Sequence, residues 1–356
     1  MAITGNKGEW SEIYTLFKLL GDGVVYAGDG NMQKINNLFY PILKVIRQEQ
    51  DLYEYSPNKN GNRMVIIEEN GTEIMRIAMS DFVTQAQQLL NDIKRASTAA
   101  FPVPNTEHFM NQIKCSSLKA RSVDKTDIRI VIHDLRTGMT PLLGFSIKSQ
   151  LGSSSTLLNP GKTTNFTYKV NKPMSDAQIR QINAVSGQID RMKALFNAGF
   201  DIDYDRMDCE TFEDNLLIVD SVMPEIIAEC LKEHFTTGNS TIKDLTNGVI
   251  RRNPFGVRNA RDYYTTKMKS LLVDSALGMT PAKTWRRKYD ANGGYLVVRD
   301  DGEVICYHFY DRNQFEDYLF NNTRLDWPSR SRYEWGSLYR DGQNVHIKLN
   351  LQIRFL

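Results

Sequence analysis

Apolar positions recur at helical spacing over residues 8–20, where Ile13, Leu16, Phe17 and Leu20 share a face and Gly21-Asp22-Gly23 marks the end. The period then shortens: Met64–Glu68 and Glu73–Ala78 predict strands around Asn70-Gly71, a hairpin turn signal. Ser80–Lys94 predicts a helix capped by Ser80, and the stretch AAFPVPN at 99–105 predicts a linker, because two prolines interrupt helix and ladder alike. Asp127–His133 and Leu142–Lys148, rich in Ile, Val and Leu, predict a second hairpin across Arg136-Thr137-Gly138. Asn165–Val170 reads as a strand, and Ser175–Phe196 as one amphipathic helix. Pro224–Phe235 and Asn259–Leu277 predict further helices. Tyr295–Arg299 and Val304–Tyr310 form a hairpin over Asp300-Asp301-Gly302, and Val345–Phe355 reads as a closing strand. The sum is an α+β chain built on a mixed sheet.

Composition narrows the classes. With 356 residues and 41% hydrophobic content, one large or two medium domains are expected. The absence of any run of about 18 apolar residues argues against a membrane-spanning helix. The start, MAITGNKGEW, lacks the apolar stretch of a signal peptide. Cys115, Cys209, Cys230 and Cys306 form no C-x-x-C pair, which fits a reducing, cytoplasmic setting and argues against a disulfide framework or a Cys-type zinc site. No phosphate-binding glycine motif supports use of ATP or NAD. The five histidines lack metal-ligand spacing; only His133 falls beside the candidate chemistry below.

A net charge of +2 argues against an obviously basic nucleic-acid binder, but the average conceals segregation. Residues 110–180 hold 11 bases against 4 acids, residues 199–235 hold 11 acids against 2 bases, and residues 240–290 hold 11 bases against 4 acids. Such blocks create local potentials. The acidic block is expected to face away from any polyanion or to pair with the basic helix at 259–277.

The second hairpin carries the most informative residues. Asp127 stands at the mouth of one strand, and Ser146 and Lys148, two apart, share a face of its neighbour. A carboxylate beside a lysine on adjacent strands suits Mg²⁺-assisted phosphodiester cleavage: the acid holds the ion, and the lysine orients water and stabilises developing charge. Glu9 and Glu12, three apart on the first helix, are candidates for a second carboxylate, although acids in a first turn also cap a helix. The acid-free run from Gln150 to Asn165 is rich in small hydrogen-bonding groups, among them Ser153, Thr156, Asn159, Lys162, Thr164 and Asn165, which suit phosphate and base-edge contacts. Arg251 and Arg252, and Arg330 and Arg332, are candidate guanine or phosphate contacts.

Three motifs then combine: Asn6-Lys7-Gly8-Glu9-Trp10-Ser11-Glu12, Gly144-Phe145-Ser146-Ile147-Lys148-Ser149, and Thr156-Leu157-Leu158-Asn159 with Thr164-Asn165-Phe166. With the closing segment Ile347–Phe355, they resemble the HpaII family of type II restriction endonucleases over essentially the whole chain. The resemblance implies a PD-(D/E)xK restriction-endonuclease-like core of mixed β-sheet flanked by helices, with additional N- and C-terminal elements. It implies Mg²⁺-dependent cleavage of double-stranded DNA at a short palindrome, CCGG for the family's namesake. A cognate DNA methyltransferase and a homodimer are the natural partners, with no membrane. Residues 1–100 would carry the helical glutamate, 101–236 the nuclease core, and 237–356 a helical/β region adding DNA contacts. Thr126-Asp127 takes the Pro-Asp position of the motif, Lys148 its lysine, and Gly8-x-x-x-Glu12 the helical glutamate. Ser146 stands where an acid is usual, so the missing carboxylate is expected from Glu12, with Glu9 second and Gln150 as a neutral ligand or water-positioning group. The same departure leaves open a non-catalytic DNA-binding or repair-accessory protein, or a structure-specific nuclease.

Overall fold

The computed structural model describes residues 2–59, 61–119, 126–289 and 292–356. Arg121, Asp124, Lys125 and Asp290 of the two basic stretches lie outside the described residues. The chain divides into two compact units, residues 1–155 with 289–315, and residues 156–288 with 316–356. These units cut across the three expected regions: the N-terminal helix, the candidate hairpin and the hairpin near residue 300 belong to one unit.

In the first unit, helix α1 (Lys7–Asp22) begins at Asn6, whose side chain accepts the Glu9 N–H while the Glu9 carboxylate accepts the Asn6 N–H. Gly23, at φ 63°, ends it in the left-handed conformation that L residues disfavour. The buried stripe of α1 includes Trp10, Ile13, Tyr14, Leu16, Phe17 and Leu20. Strands β1 (Val24–Gly28), β2 (Lys34–Gln48), β3 (Leu52–Asn58), β4 (Met64–Glu69) and β5 (Thr72–Ala78) follow. Helix α2 (Met79–Arg95) packs along α1, where Phe109 meets Phe17 and Phe82 edge-on at 5.2 Å.

Two expectations change here. The residue before α2 is Ala78, which offers no side-chain cap; Ser80 lies inside the helix and its carbonyl accepts the Thr84 hydroxyl. The expected 99–105 linker is structured. Phe101–Pro102 pairs with Thr4–Gly5, and Pro104 opens a helix over Pro104–Gln112, where a missing N–H costs nothing.

Strands β6 (Ile128–Ile132) and β7 (Leu142–Ser149) form the predicted antiparallel hairpin, with Ile128 opposite Phe145. Strand β8 (Gly294–Val298) lies parallel to β7, and β9 (Val304–His308) antiparallel to β8. The sheet runs β1-β9-β8-β7-β6-β2-β3-β4-β5, and β1 also pairs with β2, so six strands close on themselves. On β7, Leu143 and Phe145 join the apolar core and Ile147 packs against it, which leaves Ser146 and Lys148 for the opposite face. His133 follows the far end of β6, about 20 Å of extended chain from Asp127, and takes no place beside it.

The second unit holds a four-stranded sheet, ordered Ile202–Met207, Asn165–Val170, Asn344–Asn350, Leu338–Asp341, and a three-stranded one, ordered Thr156–Leu158, Ile353–Phe355, Thr323–Leu325. The expected closing strand is therefore two strands in two sheets. The expected Ser175–Phe196 helix is also two, Asp176–Asn183 and Gln188–Asn197, broken where Gly187 takes φ 82°. Much of the acidic block is engaged within this unit: Arg252 binds Glu229 at 3.0 Å and also Glu233, Lys267 of the basic helix pairs with Asp220, and Lys348 meets Asp208 at 2.7 Å. Among the described residues, no helix is long and apolar enough to cross a membrane, and all four cysteines are free.

Candidate active site

The hairpin register, with Ile128 opposite Phe145, brings Asp127 beside Ser146. The Asp127 N–H donates to the Phe145 carbonyl at 3.0 Å, and its Oδ2 accepts the Ile147 N–H at 2.6 Å and the Ser146 hydroxyl at 2.9 Å. Ser146 thus orients the carboxylate that an acid at its position would have joined. Charge-assisted bonds of this kind fix a side chain well.

Gly144 permits the close approach. A Cβ there would lie 2.5 Å from Thr126 Cγ2, and the residue is held on its other side by Asn292 Oδ1, which accepts its N–H at 2.8 Å, and by the Gly293 N–H, which donates to its carbonyl at 2.8 Å. Sequence reasoning missed this clamp. Its signal was the Asn292-Gly293-Gly294 run, a turn composition whose target is remote in the chain. Gly144→Ala is expected to destabilise the protein by about 1–3 kcal/mol through overpacking and to slow any chemistry that needs Asp127. Unchanged thermal unfolding in that variant would refute the clamp.

Lys148 extends from β7 with its Nζ 5.0 Å from the centre of the Tyr295 ring on β8. Burial pushes its proton affinity down, while the charges of Asp127 and Glu12 hold it up. Glu12 comes from the second turn of α1, a helix tied to β7 by Ser11 and Ser149, whose hydroxyls lie 2.8 Å apart. Burial first, and then the Asp127 charge, raise the Glu12 carboxyl to about 8, opposed by Lys119 and Arg47. Two carboxylates and a lysine thus converge at one end of β7. Among the described residues, no group of three His, Cys, Asp or Glu side chains gathers as a metal centre.

The other sequence candidates divide. Glu9 is placed at the helix start, its Oε2 accepting the Asn6 N–H at 2.9 Å and its Oε1 3.2 Å from Lys119 Nζ, contacts that hold its carboxyl below the usual range. The capping geometry, not the Asp127 pocket, therefore claims it. Gln150 lies past the end of β7 with its amide donating to Met32 Sδ at 3.5 Å. Ser153 is exposed in the first unit. In the second unit, Asn159, Arg251, Arg330 and Arg332 are exposed, and Thr156 is half-buried. Lys162, also exposed, is paired with Glu334.

Thr164 and Asn165 are buried, where a surface role was expected, while Arg252 is exposed and paired with acids. Thr164 closes a turn onto Gly161, and buried Asn165 donates to the Tyr333 carbonyl at 2.9 Å and accepts from Asn350 at 2.7 Å. The Arg252 fork is occupied by Glu229 and Glu233.

The family model of the HpaII restriction endonuclease matches residues 6–355. The type II restriction enzyme HpaII of Haemophilus parainfluenzae is 44% identical over 356 residues, covering 99% of this chain and 99% of that relative. No solved structure matches the chain. On this full-length match the chain belongs to the HpaII restriction endonuclease family and is a site-specific endonuclease of the type II restriction class.

Proposed function

We propose that the protein hydrolyses phosphodiester bonds of double-stranded DNA at a short palindrome related to CCGG, using Mg²⁺ at Asp127 and Glu12 and a PD-(D/E)xK arrangement centred on β6 and β7. The observation that carries this reading is the convergence of Asp127, Glu12 and Lys148 at one end of the β6–β7 hairpin. The residues fit the ion. A Glu12 carboxyl whose proton affinity is raised by burial and by the neighbouring Asp127 charge favours a cation between the two acids. Mg²⁺ commonly takes only one or two carboxylates and completes its shell with water and substrate phosphate.

When bound, Mg²⁺ would polarise the scissile phosphate and acidify a water. The chain supplies the rest. Ser146 and the Ile147 N–H fix the rotamer of Asp127. Lys148 Nζ aligns the attacking water and offsets charge developing on the phosphate oxygens. Its half-buried setting beside Tyr295 limits competing solvent and strengthens that interaction.

The serine that replaces the usual acid is the feature that left an inactive binding module open. Its hydrogen bond to Asp127 supports a role in an active site. A two-fold homodimer suits a palindromic target, and a methyltransferase of the same specificity suits a host whose own DNA carries that target. A cytoplasmic location agrees with the four free cysteines.

The direct test is incubation with plasmid DNA in Mg²⁺, with EDTA as control. Discrete fragments that map to CCGG, abolished by EDTA and by prior methylation of the sites, are expected. Cleavage at junctions irrespective of sequence, or none on any unmethylated duplex, would overturn the assignment.

A further inference from the structure

The segment Cys115–Lys119 runs beside the acid pair, and an unusual buried network holds it. Arg47 and Glu49, each 5% exposed, form an ion pair under it. Arg47 also donates to the Ser117 carbonyl, and Glu49 Oε2 accepts the Ser116 hydroxyl at 2.7 Å. Ser117 Oγ lies 2.8 Å from Glu49 Oε2 and 2.8 Å from the Lys119 carbonyl. A buried ion pair is a poor source of net stability, so a pair kept here is better explained by what it positions.

What it positions is Lys119. The side chain is 62% exposed, its Nζ sits 3.2 Å from Glu9 Oε1, and its charge reaches both Glu12 and Asp127. Among the described cations that act on Glu12 or Asp127, Arg47 is buried and Lys148 half-buried, while Lys119 opens to solvent. A phosphodiester approaching Asp127 and Glu12 meets two negative charges, and an exposed ammonium at their edge is needed to offset them on the way in.

Resting on the nuclease function proposed above, we infer that Lys119 is a phosphate-binding residue that grips the DNA backbone beside the Asp127–Glu12 pair, with Glu9 as its positioning residue. Glu9 presents one oxygen to the Asn6 cap and the other to Lys119, so the start of α1 sets where the ammonium stands.

The test is binding of two duplex oligonucleotides, one with CCGG and one scrambled, by the full chain in EDTA across a salt series, for wild type, Lys119→Met, Lys119→Arg and Glu9→Gln. A phosphate contact carries no base information, so Lys119→Met should weaken both duplexes alike, by roughly three- to tenfold. The slope of log affinity against log salt should fall by about 0.9, the share of one neutralised phosphate. Lys119→Arg should keep the wild-type slope, and Glu9→Gln should fall between. Folding is checked by circular dichroism, which an exposed substitution should leave unchanged. A wild-type slope in folded Lys119→Met, alongside Mg²⁺-dependent cleavage by the wild type, overturns this inference and leaves the nuclease function standing. A wild type that neither binds duplex DNA nor cuts it overturns both.

Discussion

Lys148→Met is expected to slow single-turnover cleavage of a CCGG duplex in saturating Mg²⁺ by about 10²- to 10³-fold, the usual cost of removing one preorganised charge from a transition state. That corresponds to about 3–4 kcal/mol of lost stabilisation. Methionine keeps an unbranched stem against Tyr295, so the loss reports the ammonium and not the packing. Lys148→Arg is not expected to rescue the rate. The guanidinium is a rigid planar fork with a different reach, and it needs room that a half-buried position between β6 and β8 lacks. Thermal unfolding should move little, because removing a desolvated cation relieves one cost while Asp127 and Glu12 lose a compensating charge. A Lys148→Met enzyme within tenfold of the wild-type rate would remove Lys148 from the chemistry.

How this site could be seen in the sequence depends on the range of the contacts that make it. Asp127, Ser146 and Lys148 lie close together on two strands joined across Arg136-Thr137-Gly138, a local arrangement that alternation can reveal. The choice between Glu9 and Glu12 was not open to spacing, because both lie on one side of α1. The cap decides: Asn6 at the helix start engages the acid three residues on and leaves Glu12 to the sheet. The clamp on Gly144 and the Arg47–Glu49 support under Lys119 join residues 148 and 70 positions apart, and no local pattern announces them.

Elsewhere, single residues set the limit. Gly187 broke an amphipathic period that otherwise continued through it, and Pro104 began a helix where prolines had suggested a linker. Counting charges along the chain treated every base as available. Arg252, Lys162 and Lys267 are each paired with an acid brought near by folding, which charge counting along the chain does not register.

Glu12→Gln should separate function from stability more sharply than any other change. Its carboxyl rises from 4.5 to about 8 in the folded chain, because burial and the Asp127 charge favour the protonated form. The charged groups that face it include Asp127 and Glu9, which raise it, and Lys119, Arg47 and Lys148, which favour its ionised form. The sign of the linkage follows. Below about pH 4.5 the acid is protonated in folded and unfolded chains alike, and it costs no stability. As pH rises from there towards 8, the unfolded chain releases the proton while the folded chain holds it, so metal-free stability falls by up to about 1.4 kcal/mol per pH unit. Above 8 the penalty levels off. Glutamine cannot ionise, so in EDTA Glu12→Gln should unfold like the wild type at pH 4 but be more stable at pH 8, by a few kcal/mol at most. Adding Mg²⁺ at pH 8 should raise the melting temperature of the wild type through binding to the folded state, and much less that of the variant. In the same variant cleavage should fall by at least about 10²-fold, because one of two acidic ligands is gone. Equal melting at pH 8 in EDTA would show that the two carboxylates do not repel, and wild-type cleavage would show that Glu12 holds no ion.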